Sequence, residues 1–236
     1  MKELFIGDVH GHKTWLEIIK KEKPDRVIFV GDYFDSETLS LSVQINNFKS
    51  IIEYKKSNPN TILLIGNHDY HYFSYINNIN TSGFQGGIAK LKICMLLESI
   101  EMKMAYQIDN LLISHAGISE VWLKDNNWEG EDIVEYVNDL WYYRPTCFGF
   151  KLSNNERLSN GSGNNVYQSP IWIRQRALQL ANYDSFRKEY IQIFGHTHMD
   201  KIDFKGVSTD GRYFNIDTLP NEYLMYQDKQ FKLGKC

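Results

Sequence analysis

Five times in this chain a short apolar run ends in a polar cluster, most often with a glycine beside it. Residues 4–6 run into Gly7-Asp8-Val9-His10-Gly11, and residues 26–30 into Gly31-Asp32-Tyr33-Phe34-Asp35. Residues 61–65 run into Gly66-Asn67-His68-Asp69, and residues 111–114 into His115-Ala116-Gly117. Residues 190–194 run into Gly195-His196-Thr197-His198. Runs of this length and apolarity read as buried strands. Helical spacing lies between them: Trp15, Leu16, Ile18 and Ile19, then Ile45, Phe48 and Ile52. A third helix is expected over 87–97, with Ile88, Leu91 and Met95 on one face. Residues 213–216 and 223–226 read as a final strand pair. Strands alternating with helices predict a layered α/β fold. Ligands of open α/β sheets bind outside the carboxyl ends of the strands, so the clusters are expected on one rim.

The residue types in these clusters point to metal chemistry. Asp8 and His10 are two apart, as are His196 and His198, and in extended chain such pairs face the same way. Asn67 and His68 are adjacent and should take different roles. The donor set is carboxylate, imidazole and amide oxygen without thiolate, which suits manganese, iron, zinc or nickel. Six or more such ligands exceed what one catalytic zinc takes and suit two bridged metals, with Asp32 as the natural bridge. Gly-Asp after a strand is commonly only a turn. Here, however, five of the seven histidines fall in the clusters, leaving only His12 and His71 to surface or supporting roles.

Composition narrows the remaining classes. The net charge of −3 over 236 residues leaves no basic field for nucleic acid. Lys20-Lys21-Glu22-Lys23 and Lys55-Lys56 read as solvated helix ends. The initial apolar run is too short for a signal-peptide core, and no stretch approaches the roughly 20 apolar residues of a membrane helix. Cys94, Cys147 and Cys236 stand far apart with no metal-knuckle spacing, which fits a reducing, cytoplasmic setting. One domain over 1–236 is expected, with a flexible Asn/Gly/Ser-rich loop at about 147–168.

Taken in order, the five clusters resemble the calcineurin-like metallophosphoesterase superfamily. They most resemble its phosphoprotein-phosphatase branch, which includes small bacterial and phage protein phosphatases and symmetrical diadenosine tetraphosphatases. Gly31-Asp32-Tyr33-Phe34-Asp35 is near that branch's Gly-Asp-x-Val-Asp. The resemblance implies a β-sandwich of two mixed sheets flanked by helices, with a dimetal site at the C-terminal ends of strands. It assigns Asp8, His10 and His198 to a first metal, Asp32 to the bridge, and Asn67, His115 and His196 to the second. It makes His68 the general acid and Asp35 the group that orients and charges it. The implied reaction is hydrolysis of a phosphate monoester by in-line attack of a metal-bridging hydroxide, with Mn2+ foremost and Fe, Zn or Ni as alternatives. A phosphorylated partner is implied, a phosphoprotein first; the alternative is a nucleotide hydrolase acting on a dinucleoside polyphosphate or cyclic nucleotide. Where the branch carries arginine after its second aspartate, this chain has Ser36. The phosphate-binding candidates are Arg174 in Trp172-Ile173-Arg174, favoured, and Arg144 in Trp141-Tyr142-Tyr143-Arg144. Tyr33, Tyr70, Tyr72, Tyr142 and Tyr143 lie near the motifs, where packing is the expected role and base stacking the alternative. A non-catalytic scaffold is disfavoured, because grouping so many polar side chains without a use is costly.

Overall fold

The computed structural model describes residues 1–76, 82–151, 164–202 and 212–236. The chain forms two compact units. The first comprises residues 1–103, 199–202 and 216–236. The second comprises residues 104–198 and 203–215.

In the first unit, β1 (Lys2–Ile6), β2 (Arg26–Phe29) and β3 (Ile62–Leu63) run parallel. β8 (Glu222–Gln227) pairs antiparallel with β1, and β9 (Gln230–Lys235) closes the order β3-β2-β1-β8-β9. Leu4, Phe5, Ile6, Val27, Ile28 and Phe29 are buried, so the parallel strands read as continuous apolar runs, not alternating ones. α1 (Thr14–Glu22) and α2 (Leu41–Ser57) pack here through Trp15, whose ring meets Phe29 and whose indole N–H donates to Asn47. α4 (Ile88–Leu97) packs against α2.

α4 presents a different face from the expected one. Ile93, Cys94 and Leu97 are buried, whereas Ile88, Leu91 and Met95 are 72%, 64% and 73% exposed. The helix is apolar on both sides, so spacing alone could not choose the inward face.

In the second unit, β4 (Ala105–Ile108) is antiparallel to β5 (Leu111–Ser114). β6 (Ile191–Phe194) and β7 (Tyr213–Asn215) follow in parallel, giving the order β4-β5-β6-β7. α5 (Glu120–Asp125) is capped by Ser119 and α6 (Ile133–Tyr143) by Asp132, each accepting a backbone N–H of the first turn. α7 (Gln175–Ala181) supplies Ala177, Leu178 and Ala181 to a core that includes Phe194 and Tyr213. α8 (Asp184–Glu189) leads into β6.

The expected final strand pair is therefore corrected. Residues 213–215 pair with β6, and residues 222–227 pair with β1, in different sheets. Three of the clusters follow β1–β3 of one sheet, and two follow β5 and β6 of the other. Of the expected loop at 147–168, residues 152–163 lie outside the described residues, and Pro145–Phe148 forms a 3-10 turn. Among the described residues, no helix is long and apolar enough to cross a membrane.

Candidate functional site

In the first unit the turns after β1 and β2 are tied together through one carbonyl. Val9 and His10 both donate their backbone N–H to the Asp32 oxygen, at 3.1 and 2.7 Å. His10, Asp32 and Asp35 adopt left-handed backbone, with φ of 41°, 51° and 63°. That conformation disfavours residues with a Cβ and clusters where function requires it. It also corrects the pairing argument: His10 is not in extended chain, and the turn itself brings it to Asp32. Two glycines allow the approach of the β2 and β3 ends. A Cβ on Gly31 would meet the Gly66 nitrogen at 2.5 Å, and one on Gly66 would meet Asp32 Oδ1 at 2.1 Å.

The result is a close group of metal-type donors. Asp8 and Asp32 are buried and each offers a carboxylate oxygen within 4.8 Å of the other. His10 Nε2 lies 3.9 Å from Asp32 Oδ2, and its Nδ1 lies 2.7 Å from the Phe34 carbonyl. A carbonyl only accepts, so Nδ1 carries the proton and Nε2 carries the lone pair on the Asp32 side. This is how metal-binding histidines are held, with the far nitrogen anchored on an oxygen. Two neighbouring buried carboxylates, with an imidazole lone pair on the Asp32 side, fit a cation. Asn67 opens the short helix α3 (Asn67–Tyr70) and is buried.

His68 follows on α3. Its backbone N–H donates to Asp32 Oδ1 at 2.9 Å, and its ring Nδ1 lies 3.1 Å from Asp35 Oδ2. Burial pushes the imidazole down, but the Asp32, Asp35 and Asp69 carboxylates outweigh it and raise the group to about 9. Burial would raise Asp35, yet bonds from His68, His71 and Tyr72 hold it below the usual carboxylate range.

Asp69, which sequence reasoning left without a role, fastens these loops. It accepts the N–H groups of Asp32, Tyr33 and Gly66 at 2.8, 2.9 and 2.9 Å. Burial and the Asp32 charge push its carboxyl up, opposed by those three N–H bonds. The available signal was its place three residues after Gly66 at a helix start, a capping-box position. His71 and Tyr72 were also missed as partners of Asp35; a signal for His71 was its i, i+3 spacing from His68. Ser36 is spent on its own loop, where its hydroxyl accepts the N–H groups of Thr38 and Leu39.

In the second unit, Gly195 N–H donates to the His115 carbonyl at 2.7 Å, bringing the ends of β5 and β6 together. The His115 and His196 rings lie 5.2 Å apart by centroid. His196 also has left-handed backbone, φ 69°, so it and His198 are not an extended-chain pair. His196 Nε2 lies 3.1 Å from the Trp172 carbonyl, which puts the ring's lone pair on Nδ1. Arg174 Nη1 donates to the His196 carbonyl and Thr197 Oγ1 at 3.0 and 2.9 Å. Asn215 fixes the Thr197 carbonyl at 2.8 Å. His198 is exposed. Arg144 caps the end of α6 instead, donating to the Asn126 carbonyl at 2.9 Å. Tyr33, Tyr70 and Tyr72 are buried, whereas Tyr142 and Tyr143 are exposed.

Comparison with known proteins gives a consistent picture. The family model for calcineurin-like phosphoesterases matches residues 1–200. Shewanella-like protein phosphatase 1 of Plasmodium berghei is 25% identical over 247 residues, covering 92% of this chain. The chain spans 66% of that relative's length. The crystal structure of a cold-active protein-tyrosine phosphatase from a psychrophilic Shewanella species matches with a TM-score of 0.64 at 17% identity, covering 99% of this chain and 77% of that one. A Saccharomyces cerevisiae serine/threonine phosphatase similar to human phosphatase PP5 matches with a TM-score of 0.59 at 14% identity, covering 99% and 79%. At these identities the solved structures establish a shared fold.

Proposed function

The chain belongs to the calcineurin-like phosphoesterase family, and on that premise we propose that it is a divalent-metal phosphomonoesterase acting on phosphorylated protein. The observation that carries this reading is the arrangement of His68. A carboxylate-anchored imidazole stands beside the Asp8–His10–Asp32 donor group. In the first unit the metal-holding residues are Asp8, His10, Asp32 and Asn67; in the second they are His115, His196 and His198. When bound, divalent ions supply Lewis acidity, activating water and offsetting charge on the phosphoryl oxygens. Manganese is the first candidate for this oxygen- and nitrogen-donor set, with iron, zinc and nickel behind it.

The chain's own residues do the remaining work. Asp35 accepts from Nδ1 and keeps the His68 ring oriented, so that Nε2 holds the proton to be given to the leaving oxygen. With a cation held by Asp32, that residue's pull on the imidazole would be partly cancelled, and Asp35 would be the principal support of the proton. Arg174, bonded to the His196 segment, is the favoured phosphate-binding residue, and Arg144 is engaged elsewhere. The phosphatases among the relatives favour a phosphoprotein over a nucleotide, and burial of Tyr33, Tyr70 and Tyr72 removes three candidate base-stacking groups. Three free cysteines support a cytoplasmic location.

The test is elemental analysis of purified protein, paired with turnover of p-nitrophenyl phosphate, bis-p-nitrophenyl phosphate and phosphopeptides. Bound divalent metal with monoester preference and phosphopeptide turnover is expected. Diester or nucleotide preference overturns the substrate class, and no metal-dependent turnover of any ester overturns the reaction.

A further inference from the structure

Asp35 has more partners than a single hydrogen bond to His68 requires. Its Oδ2 lies 3.1 Å from His68 Nδ1 and 2.9 Å from His71 Nε2, and its Oδ1 accepts the Tyr72 hydroxyl. The Tyr72 oxygen in turn accepts the Gln85 N–H at 2.9 Å. His71 is fully buried, edge-on to Tyr72 at 4.4 Å and to Phe84 at 4.9 Å, and Tyr72 stacks on Phe84 at 5.3 Å. The neighbourhood is tight on the other side as well: a Cβ on Gly83 would meet the Asp35 Cβ at 2.9 Å.

This packing answers a specific need. Asp35 has left-handed backbone, φ 63°, which its own chain does not favour and its surroundings must impose. A carboxylate held only by His68 could rotate away whenever the imidazole moved. With one oxygen fixed by Tyr72 and the other shared by two imidazoles, it stays on Nδ1. We propose that His71 and Tyr72 are positioning residues that act through Asp35 to keep His68 aimed as proton donor to the leaving group. The inference rests on the reading of His68 as the acid.

Leaving-group dependence separates this role from a purely structural one. p-Nitrophenolate departs without a proton, whereas phenolate from phenyl phosphate needs one, so damage to the acid shows mainly on phenyl phosphate. Tyr72→Phe removes one hydroxyl and His71→Leu removes the imidazole at similar size. In manganese-loaded protein each is expected to lower kcat on phenyl phosphate about tenfold or more, and on p-nitrophenyl phosphate less than about threefold, with KM unchanged. His71→Gln, which keeps a donor, should recover much of the loss. The double variant His68→Asn/Tyr72→Phe should lose little beyond His68→Asn alone, since both act on one step. A second readout uses the metal-free protein: the downfield NMR resonance of the His68 Nδ1 proton should be sharp in wild type and broadened in Tyr72→Phe. Equal losses on both esters in Tyr72→Phe, or an unchanged resonance there, overturn the proposal. If His71→Leu fails to fold, Tyr72→Phe decides. The parent reading fails separately, if His68→Asn itself leaves the ratio of the two esters at its wild-type value.

Discussion

Asp69 shows how one side chain can set the geometry of residues it does not resemble in role. Its two oxygens accept three backbone N–H groups from two loops, and all of these groups are buried. Asp69→Ala leaves those donors unsatisfied and should cost about 3 kcal/mol or more in urea unfolding. Asp69→Asn should fare little better, because its amide turns a donor toward donors. A variant as stable as wild type would show that water replaces the carboxylate. His68 carries the second prediction at this scale. In metal-free protein its ring should titrate near 9 by NMR and fall in Asp35→Asn. Its folded value exceeds the unfolded one of about 6.5. The stability it contributes is therefore present in full below about pH 6.5 and is lost as pH rises through 9. A wild-type advantage over His68→Gln that grows with rising pH contradicts that sign.

Elements were legible in the sequence where apolar runs were continuous, as at β1, β2, β5 and β6. They were opaque where partners decided. β9 is mostly exposed with alternating polar residues, and only its pairing to β8 makes it a strand. β7 and β8 are adjacent in sequence and read as a pair because local pattern carries no information about which sheet a strand joins. Candidate site residues stand out in the sequence because metal donors and glycines are chemically distinctive. Their supports could not, because Asp69, His71 and Tyr72 act through positions that only the folded chain brings together. α4 gives the matching prediction. Leu91→Gln and Met95→Gln, on the exposed face, should change stability by less than about 0.5 kcal/mol. Ile93→Ala and Leu97→Ala, on the buried face, should cost about 2–5 kcal/mol each in denaturant unfolding. Equal costs on both faces would mean that the outer face is covered in solution.

At the scale of the whole molecule, metal binding should be written into stability. The chain carries a net charge of −3, and buried Asp8 and Asp32 lie together in the first unit. Bringing like charges together opposes folding unless a cation offsets them. A ligand that binds only the folded chain stabilises it by mass action, about 2.7 kcal/mol at a hundredfold excess over its dissociation constant. Manganese should therefore raise the thermal midpoint of wild type, and chelator should reverse the rise. The gain should shrink on acidification, because histidine and carboxylate donors bind metal only after losing their protons. Asp8→Asn in the first unit and His196→Ala in the second should each lower the metal content and the gain. His12→Ala, whose side chain is exposed and outside the donor set, should leave both unchanged. A midpoint in wild type that ignores manganese and chelator alike would mean that the paired carboxylates are held without a cation, and the metal reading would fall with them.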